Sequence, residues 1–297
     1  MRKVAAGSRR IKASQLFVVA VVSLAVGFVM RSSGSAAADS APLTRTHYNS
    51  LDDGTEDYNY WQVQAKSPNR VTYLADPIGQ RGVVQRVTVQ PGDTNVFGSS
   101  SQGERAEVAN YNSLSGFVDG QTIVLSWSTM IGFDFASPQG DWNNFVQTHV
   151  AGGPWCAPET GRCGGQSPWE LNLVGDNADL KMRLYGGGSW NDSEQLDVSV
   201  GEWFALGSLE KNRWYDFVIE VRYGCTGNGY AKVWRDGTLL VDAQDRRIGY
   251  CGDPGMYWKQ GFYRRSYEKP TTLWFGDTFR WNTSSDAFAN YGWSPTG

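Results

Sequence analysis

Three short segments carry polar side chains of a kind that can move a proton beside a carboxylate. They are Arg105-Ala106-Glu107-Val108-Ala109, Phe145-Val146-Gln147-Thr148-His149-Val150 and Tyr257-Trp258-Lys259-Gln260-Gly261-Phe262-Tyr263-Arg264-Arg265. In an extended chain, side chains two apart share a face. Arg105 and Glu107 then point one way, as do Gln147 with His149, and Tyr257, Lys259, Tyr263 and Arg265, while Val108, Val146, Trp258 and Phe262 turn to the core. A fourth segment, Leu180-Lys181-Met182-Arg183-Leu184-Tyr185, repeats the pattern with Lys181, Arg183 and Tyr185 outward. Removing a proton from a carbon next to an ionised carboxylate needs a donor that neutralises the carboxylate, since negative charge develops there. Gln147 and Arg105 suit that role. A proton acceptor and a proton donor are needed as well; His149 and Tyr263 are the available pair, Tyr263 as acid and either one as base. Glu107 orients Arg105 and joins Lys259, Tyr257, Lys181, Arg183 and Arg265 as the set that meets a ligand. None of this requires a metal.

The elements that must position these groups are strands. Val83–Val89, Thr122–Ser128 and Trp214–Val221 are β-branched and aromatic runs bounded by Gly, Asn, Asp and Pro. Tyr230–Val241 reads as a hairpin with Asp236-Gly237 at its tip. No long stretch has helical apolar spacing. Short strands separated by glycine turns predict an all-β fold, a two-sheet β-sandwich jelly roll of concanavalin type. With 40% hydrophobic and 19% charged residues in 297, the chain is neither a disordered tail nor a multi-span membrane protein.

The amino terminus places Arg2, Lys3, Arg9, Arg10 and Lys12 before the apolar run Leu16–Met30, followed by Arg31 and the small residues Ser35-Ala36-Ala37-Ala38. That order is the layout of a secretory signal, expected over 1–38 and followed by a linker at 39–50, a domain at 51–283 and a surface tail at 284–297. Those first 38 residues hold six bases and no acid, so the remainder keeps 21 of the 27 bases against all 30 acids, a balance of −9. An acidic domain argues against nucleic acid as partner. Once the signal is removed, a monomer with no stable membrane association is expected, working outside the cell. Four cysteines suit that compartment, with local bridges Cys156–Cys163 and Cys225–Cys251 anticipated from proximity. Their spacing does not suit zinc. The acidic run Asp52–Asp57 raises calcium, but its spacing matches no loop of calcium ligands and it reads as a solvated turn; the expected cofactor is none.

The three opening segments resemble the signature strands of alginate lyases of polysaccharide lyase family 7, patterned roughly R-[ST]-E-[LV], Q-[IV]-H and Y-F-K-A-G-[VI]-Y. The stretch from Trp214 through Asp236-Gly237 to Asp277 is similar to the heparin lyase I and glucuronan lyase group. The resemblance covers most of residues 80 to 281. It implies a lyase that cleaves a uronic-acid polysaccharide of alginate, glucuronan or glycosaminoglycan type by β-elimination, with an acidic polysaccharide as partner. Ala106 stands where that family has a hydroxyl residue, and Thr148 where it has an aliphatic one; Gln260 and Arg264-Arg265 depart as well. A noncatalytic carbohydrate-binding or laminin-G-like module would also use a sandwich rich in tryptophan. A glycoside hydrolase would need two carboxylates flanking the bond, and the pattern E-x-D-x-x-E is absent.

Overall fold

The computed structural model describes residues 44–46, 62–94, 103–140, 142–150, 167–189, 201–253 and 255–294. Its strands form two sheets, numbered here in chain order. A ten-stranded sheet runs β10 (Gly186–Ser189), β14 (Thr238–Cys251), β13 (Gly224–Arg235), β12 (Trp214–Arg222), β6 (Thr122–Ile131), β16 (Thr271–Phe275), β4 (Val83–Val89), β3 (Val71–Ala75); β17 (Thr278–Trp281) joins β6 and carries β1 (Thr44–Thr46). The seven-stranded sheet runs β11 (Glu202–Ser208), β9 (Asp179–Leu184), β8 (Trp169–Val174), β7 (Asn143–Val150), β15 (Met256–Arg265), β5 (Gly103–Phe117), β2 (Gln62–Ala65). This is the expected β-sandwich jelly roll. The hairpin is present too, with β13 and β14 joined through Asp236-Gly237, both at positive φ of 50° and 80°.

Alternation makes the two layers stick. Trp127 and Phe217 of the larger sheet stack with ring centroids 5.2 Å apart, and Trp258 and Trp169 of the smaller sheet meet them, Trp258 lying 5.1 Å from Trp127 and 5.8 Å from Trp169. All four are fully buried. Each such ring removes about 150–250 Å² from water, and truncating one to alanine costs about 3–5 kcal/mol. Between the sheets lie polar ties as well. Gln260 of β15 accepts from Trp258 Nε1 at 2.8 Å and Thr278 Oγ1 at 2.9 Å and donates to Gln85 Oε1 at 3.0 Å. Its departure from the alginate pattern therefore serves the core. Arg264 does the same, paired with Glu104 at 2.8 Å inside the sandwich.

Two sequence expectations change. Within the anticipated linker, Thr44–Thr46 pairs with β17. The anticipated surface tail contains helix α1 (Ser284–Tyr291), started by a capping box between Thr283 and Asp286. Eight residues are too few to show a helical period clearly, but Ala287 and Phe288 are buried against Trp234 and Trp281. Cys225 and Cys251 are bridged as expected, their Cα atoms 5.3 Å apart. Cys156, Cys163, Asp52–Asp57 and the signal segment lie outside the described residues.

Candidate active site

The site is built on the face of the seven-stranded sheet turned away from the core. Strand β15 is its axis: Trp258, Gln260, Phe262 and Arg264 point inward, and Tyr257, Lys259 and Tyr263 outward. Across β15, Lys259 opposes Gln147 of β7 and Ala109 of β5, Tyr257 opposes His149, and Tyr263 opposes Asn144 and Arg105. The register slips between Gln260 and Tyr263, where β15 spends three steps against two on β7. Gly261 permits this bulge: its φ is +137°, and a Cβ there would stand 2.3 Å from the Ala106 carbonyl oxygen. On its other side β7 spends two steps against one on β8 between Asn144 and Val146, so both Phe145 and Val146 enter the core and Asn144 and Gln147 share the outer face.

Three rows of side chains result, running across the strands. In the middle row, Arg183, Glu170, Gln147 and Lys259 are successive register partners on β9, β8, β7 and β15. To one side lies Lys181, Asn172, Asn144, Tyr263 and Arg105. To the other side is the pair His149 and Tyr257, ring centroids 5.5 Å apart. His149 and Tyr263 are therefore not neighbours, as direct convergence would require. They flank the middle row, because the β15 partner of His149 is Tyr257, six residues from Tyr263.

Glu107 is the hub. Its carboxylate accepts from Lys259 Nζ at 2.7 Å and Gln147 Nε2 at 2.7 Å, and pairs with Arg105 Nε at 3.0 Å. Gln147 is fixed further by Ser167, whose hydroxyl donates to its Oε1. Two cations thus share one carboxylate, leaving one positive charge in excess in a place where Glu107 and Lys259 are almost fully buried. Burial pushes the Glu107 carboxyl up, but Lys259 and Arg105 outweigh it and the net direction is down. Burial pulls Lys259 down to about 8 despite Glu107. Arg105 lies over the Tyr263 ring, 3.9 Å from its centroid, and Trp142 packs against the same ring at 4.8 Å. Burial pushes the Tyr263 phenol up against the opposing charge of Arg105, so it keeps its proton at neutral pH.

His149 is held by its Nδ1, 3.1 Å from the Val150 carbonyl oxygen. A carbonyl only accepts, so Nδ1 carries the hydrogen and Nε2 the lone pair. Burial, with Lys259 adding to it, lowers this imidazole to about 4.

Several groups here were absent from the sequence reading. Glu170 lies in the middle row, its carboxyl held by Asn144 Nδ2 at 2.9 Å and Asn172 Nδ2 at 3.3 Å. Burial raises it to about 7. The signal that could have found it is the same alternation: in Trp169-Glu170-Leu171-Asn172-Leu173 the apolar residues are all core. Ser167, Asn144 and Trp142 carry no such signal, since each depends on the bulge or on a chain segment arriving from elsewhere. Lys181 and Arg183 are half-buried on the site's face, and Arg265 stands exposed at the end of β15. Among the described residues no group of three or more His, Cys, Asp or Glu side chains is placed to hold a metal ion.

An all-β sandwich whose outer face gathers cations, amides, an imidazole and a phenol around two buried carboxyl groups, Glu107 and Glu170, is suited to holding an anionic ligand and moving its protons. The chain belongs to the polysaccharide lyase family, whose sequence model matches residues 53–280, and it is a polysaccharide lyase. None of the curated proteins matches it. Among solved structures, it resembles the endo-β-1,4-glucuronan lyase from the fungus Trichoderma reesei, at 16% identity and a TM-score of 0.59, over 77% of this chain and 94% of that one. It also resembles the alginate lyase vAL-1 from Chlorella virus, at 10% identity and a TM-score of 0.52, over 82% of this chain and all of that one. At these identities the likeness is one of fold.

Proposed function

We propose that this lyase cleaves a uronic-acid polysaccharide by β-elimination and does so as a secreted monomer. The observation that carries the reading is the excess positive charge of the Arg105–Glu107–Lys259 group, which lacks one carboxylate for balance. A uronosyl carboxylate bound there is neutralised by Arg105 with help from the Gln147 amide, and the C5 proton becomes acidic. His149 takes that proton on Nε2; the electron pair of the broken C5–H bond forms the C4–C5 double bond, the C4–O4 bond breaks, and Tyr263 gives its phenolic proton to the departing O4. The flanking placement of His149 and Tyr263 supports this division of labour, since base and acid approach a sugar on the middle row from its two sides. Each proton transfer supplies roughly 10² to 10⁴ in rate.

The cystine Cys225–Cys251 supports an oxidising compartment, and no helix among the described residues is long and apolar enough to cross a membrane. The test is to incubate the protein with a panel of polyuronates and follow the ultraviolet absorbance of the unsaturated product. Tyr263→Phe should lower kcat at least about 10²-fold while substrate still binds. Full activity in that variant removes Tyr263 from the role of acid, and binding by the wild type with no unsaturated product from any polyuronate overturns the elimination reading.

A further inference from the structure

The middle row ends in a cation that the elimination chemistry does not use. Arg183 of β9 is two strands from Gln147 and three from Lys259, about 10 and 14 Å at the usual strand spacing. Its guanidinium carbon lies 4.2 Å from the Tyr185 ring centroid and 4.7 Å from that of Trp203, its register partner on β11. A Cβ on Gly201 would come within 2.2 Å of Arg183 Nε, so the backbone beside the guanidinium leaves room for that group alone. Arg183 faces Glu170, its register partner on β8, and its charge acts to lower that carboxyl, but none of the ion pairs among the described residues involves Arg183, and its Nε is buried without a hydrogen-bond partner there. Stacking on two rings fixes a planar cation at low entropic cost and leaves its edge for an acceptor, which suits two-point recognition of a carboxylate.

We propose that Arg183, clamped by Tyr185 and Trp203, is a distal anchor for a carboxylate of the polysaccharide, two to three sugar residues from the one that reacts. The inference rests on the elimination reading above. A 1→4-linked pyranose advances by roughly one strand spacing, about 4.8 Å, so a chain lying along the middle row brings successive sugars over β15, β7, β8 and β9. Glu170 stands between the two cationic positions, on β8. Its carboxyl disfavours a carboxylate directly above it and favours a chain that presents acids at either end of the row.

The test measures KM and kcat of wild type and Arg183→Gln on uronic-acid oligomers of increasing length and on the polymer. In the wild type KM should fall about tenfold once the oligomer is long enough to reach β9, with kcat nearly unchanged. In Arg183→Gln that fall should vanish. A length dependence in Arg183→Gln equal to that of the wild type overturns the anchor and leaves the lyase reading intact. Absence of elimination in the wild type on every polyuronate defeats the lyase reading itself. Should the glutamine variant fail to fold, Arg183→Lys decides in its place: it keeps the charge and loses the planar fork, so the KM gain should shrink, and an undiminished gain overturns the anchor.

Discussion

Lys259 and His149 set the pH range in which the site can work. Lys259 is charged below about 8 and neutral above, so the excess charge that meets the substrate carboxylate disappears as pH climbs past that value. KM for a polyuronate should therefore rise above about pH 8. Tyr263, pushed upward by burial, keeps its proton through the same interval and does not contribute to that limb. On the acid side, the imidazole loses its lone pair only as pH falls through about 4. Between these limits neither His149 nor Lys259 changes its charge, and an acid-side fall in kcat/KM already complete at pH 6 would remove His149 from the role of base. In Lys259→Met the alkaline limb should vanish and KM should be high throughout.

Glu170 has the opposite dependence. Its folded-state value, about 7, lies above its ordinary 4.5 because burial disfavours the charge. The folded protein thus holds a proton that the unfolded chain has lost, and the stabilisation this gives is complete below about 4.5 and gone once pH exceeds about 7. At about 1.4 kcal/mol per tenfold change in acidity, the loss approaches 3 kcal/mol. Glu170→Gln removes it. Denaturant melts of both proteins at pH 4.5 and pH 8 should show the variant gaining on the wild type by up to about that amount; a constant difference between the two would mean that Glu170 does not titrate in this range.

Among the strands, β15 carries the heaviest requirement, and its weak point is Gly261. In Gly261→Ala the new methyl would lie 2.3 Å from the Ala106 carbonyl oxygen and 2.5 Å from Glu107 Cα, on a backbone at φ +137°. Relief requires β5 to move away, so a destabilisation of at least about 2 kcal/mol is expected. Activity should fall further than stability does, because the same shift parts Glu107 from Lys259; a thermal melt and an activity assay on one preparation check both. The strands that hold the chemistry were readable from alternation alone: Val108, Val146, Trp258 and Phe262 are core, and Arg105, Glu107, Gln147, Lys259 and Tyr263 share the opposite face. Neighbour relations were not readable in the same way. Alternation fixes which face a residue takes but is silent on which strand lies beside it, and a one-residue bulge shifts the pairing without altering the pattern on either side. Nor does alternation give the register: His149 pairs with Tyr257, six residues from Tyr263 on the same strand, so the two groups, both on the right face, flank the row instead of meeting. The hydrophobic period of α1 is too short to be seen in sequence, and its apolar residues find their partners, Trp234 and Trp281, far away in the chain.

In the whole protein, the cystine joins the start of β13 to the end of β14 across 26 residues. The far end of β14 also touches the site's strands, since Tyr250 packs on Val150, whose carbonyl fixes His149. Cys225→Ser should cost about 3 kcal/mol from the released loop, read as a lower denaturation midpoint. The expected accompanying change is a loss of kcat in folded enzyme with KM preserved, since Val150 pairs with Met256 and not with the strand positions of Lys259 or Arg105.

Strand β15 has one further consequence, for how such a protein can change over generations. Gly261 apart, its even-numbered residues belong to the core and its odd-numbered ones to the outer face. Substitutions at the odd positions other than Gly261 can alter the preferred sugar without opening the core, so new specificities are within reach of single point changes. Insertion or deletion of one residue, by contrast, exchanges the two sets at a stroke, sending Lys259 inward and Trp258 to water. Lineages descended from this chain should therefore vary at Tyr257 and Arg265, at the two ends of β15, before they vary at Lys259 or Tyr263, and hardly at all in its length.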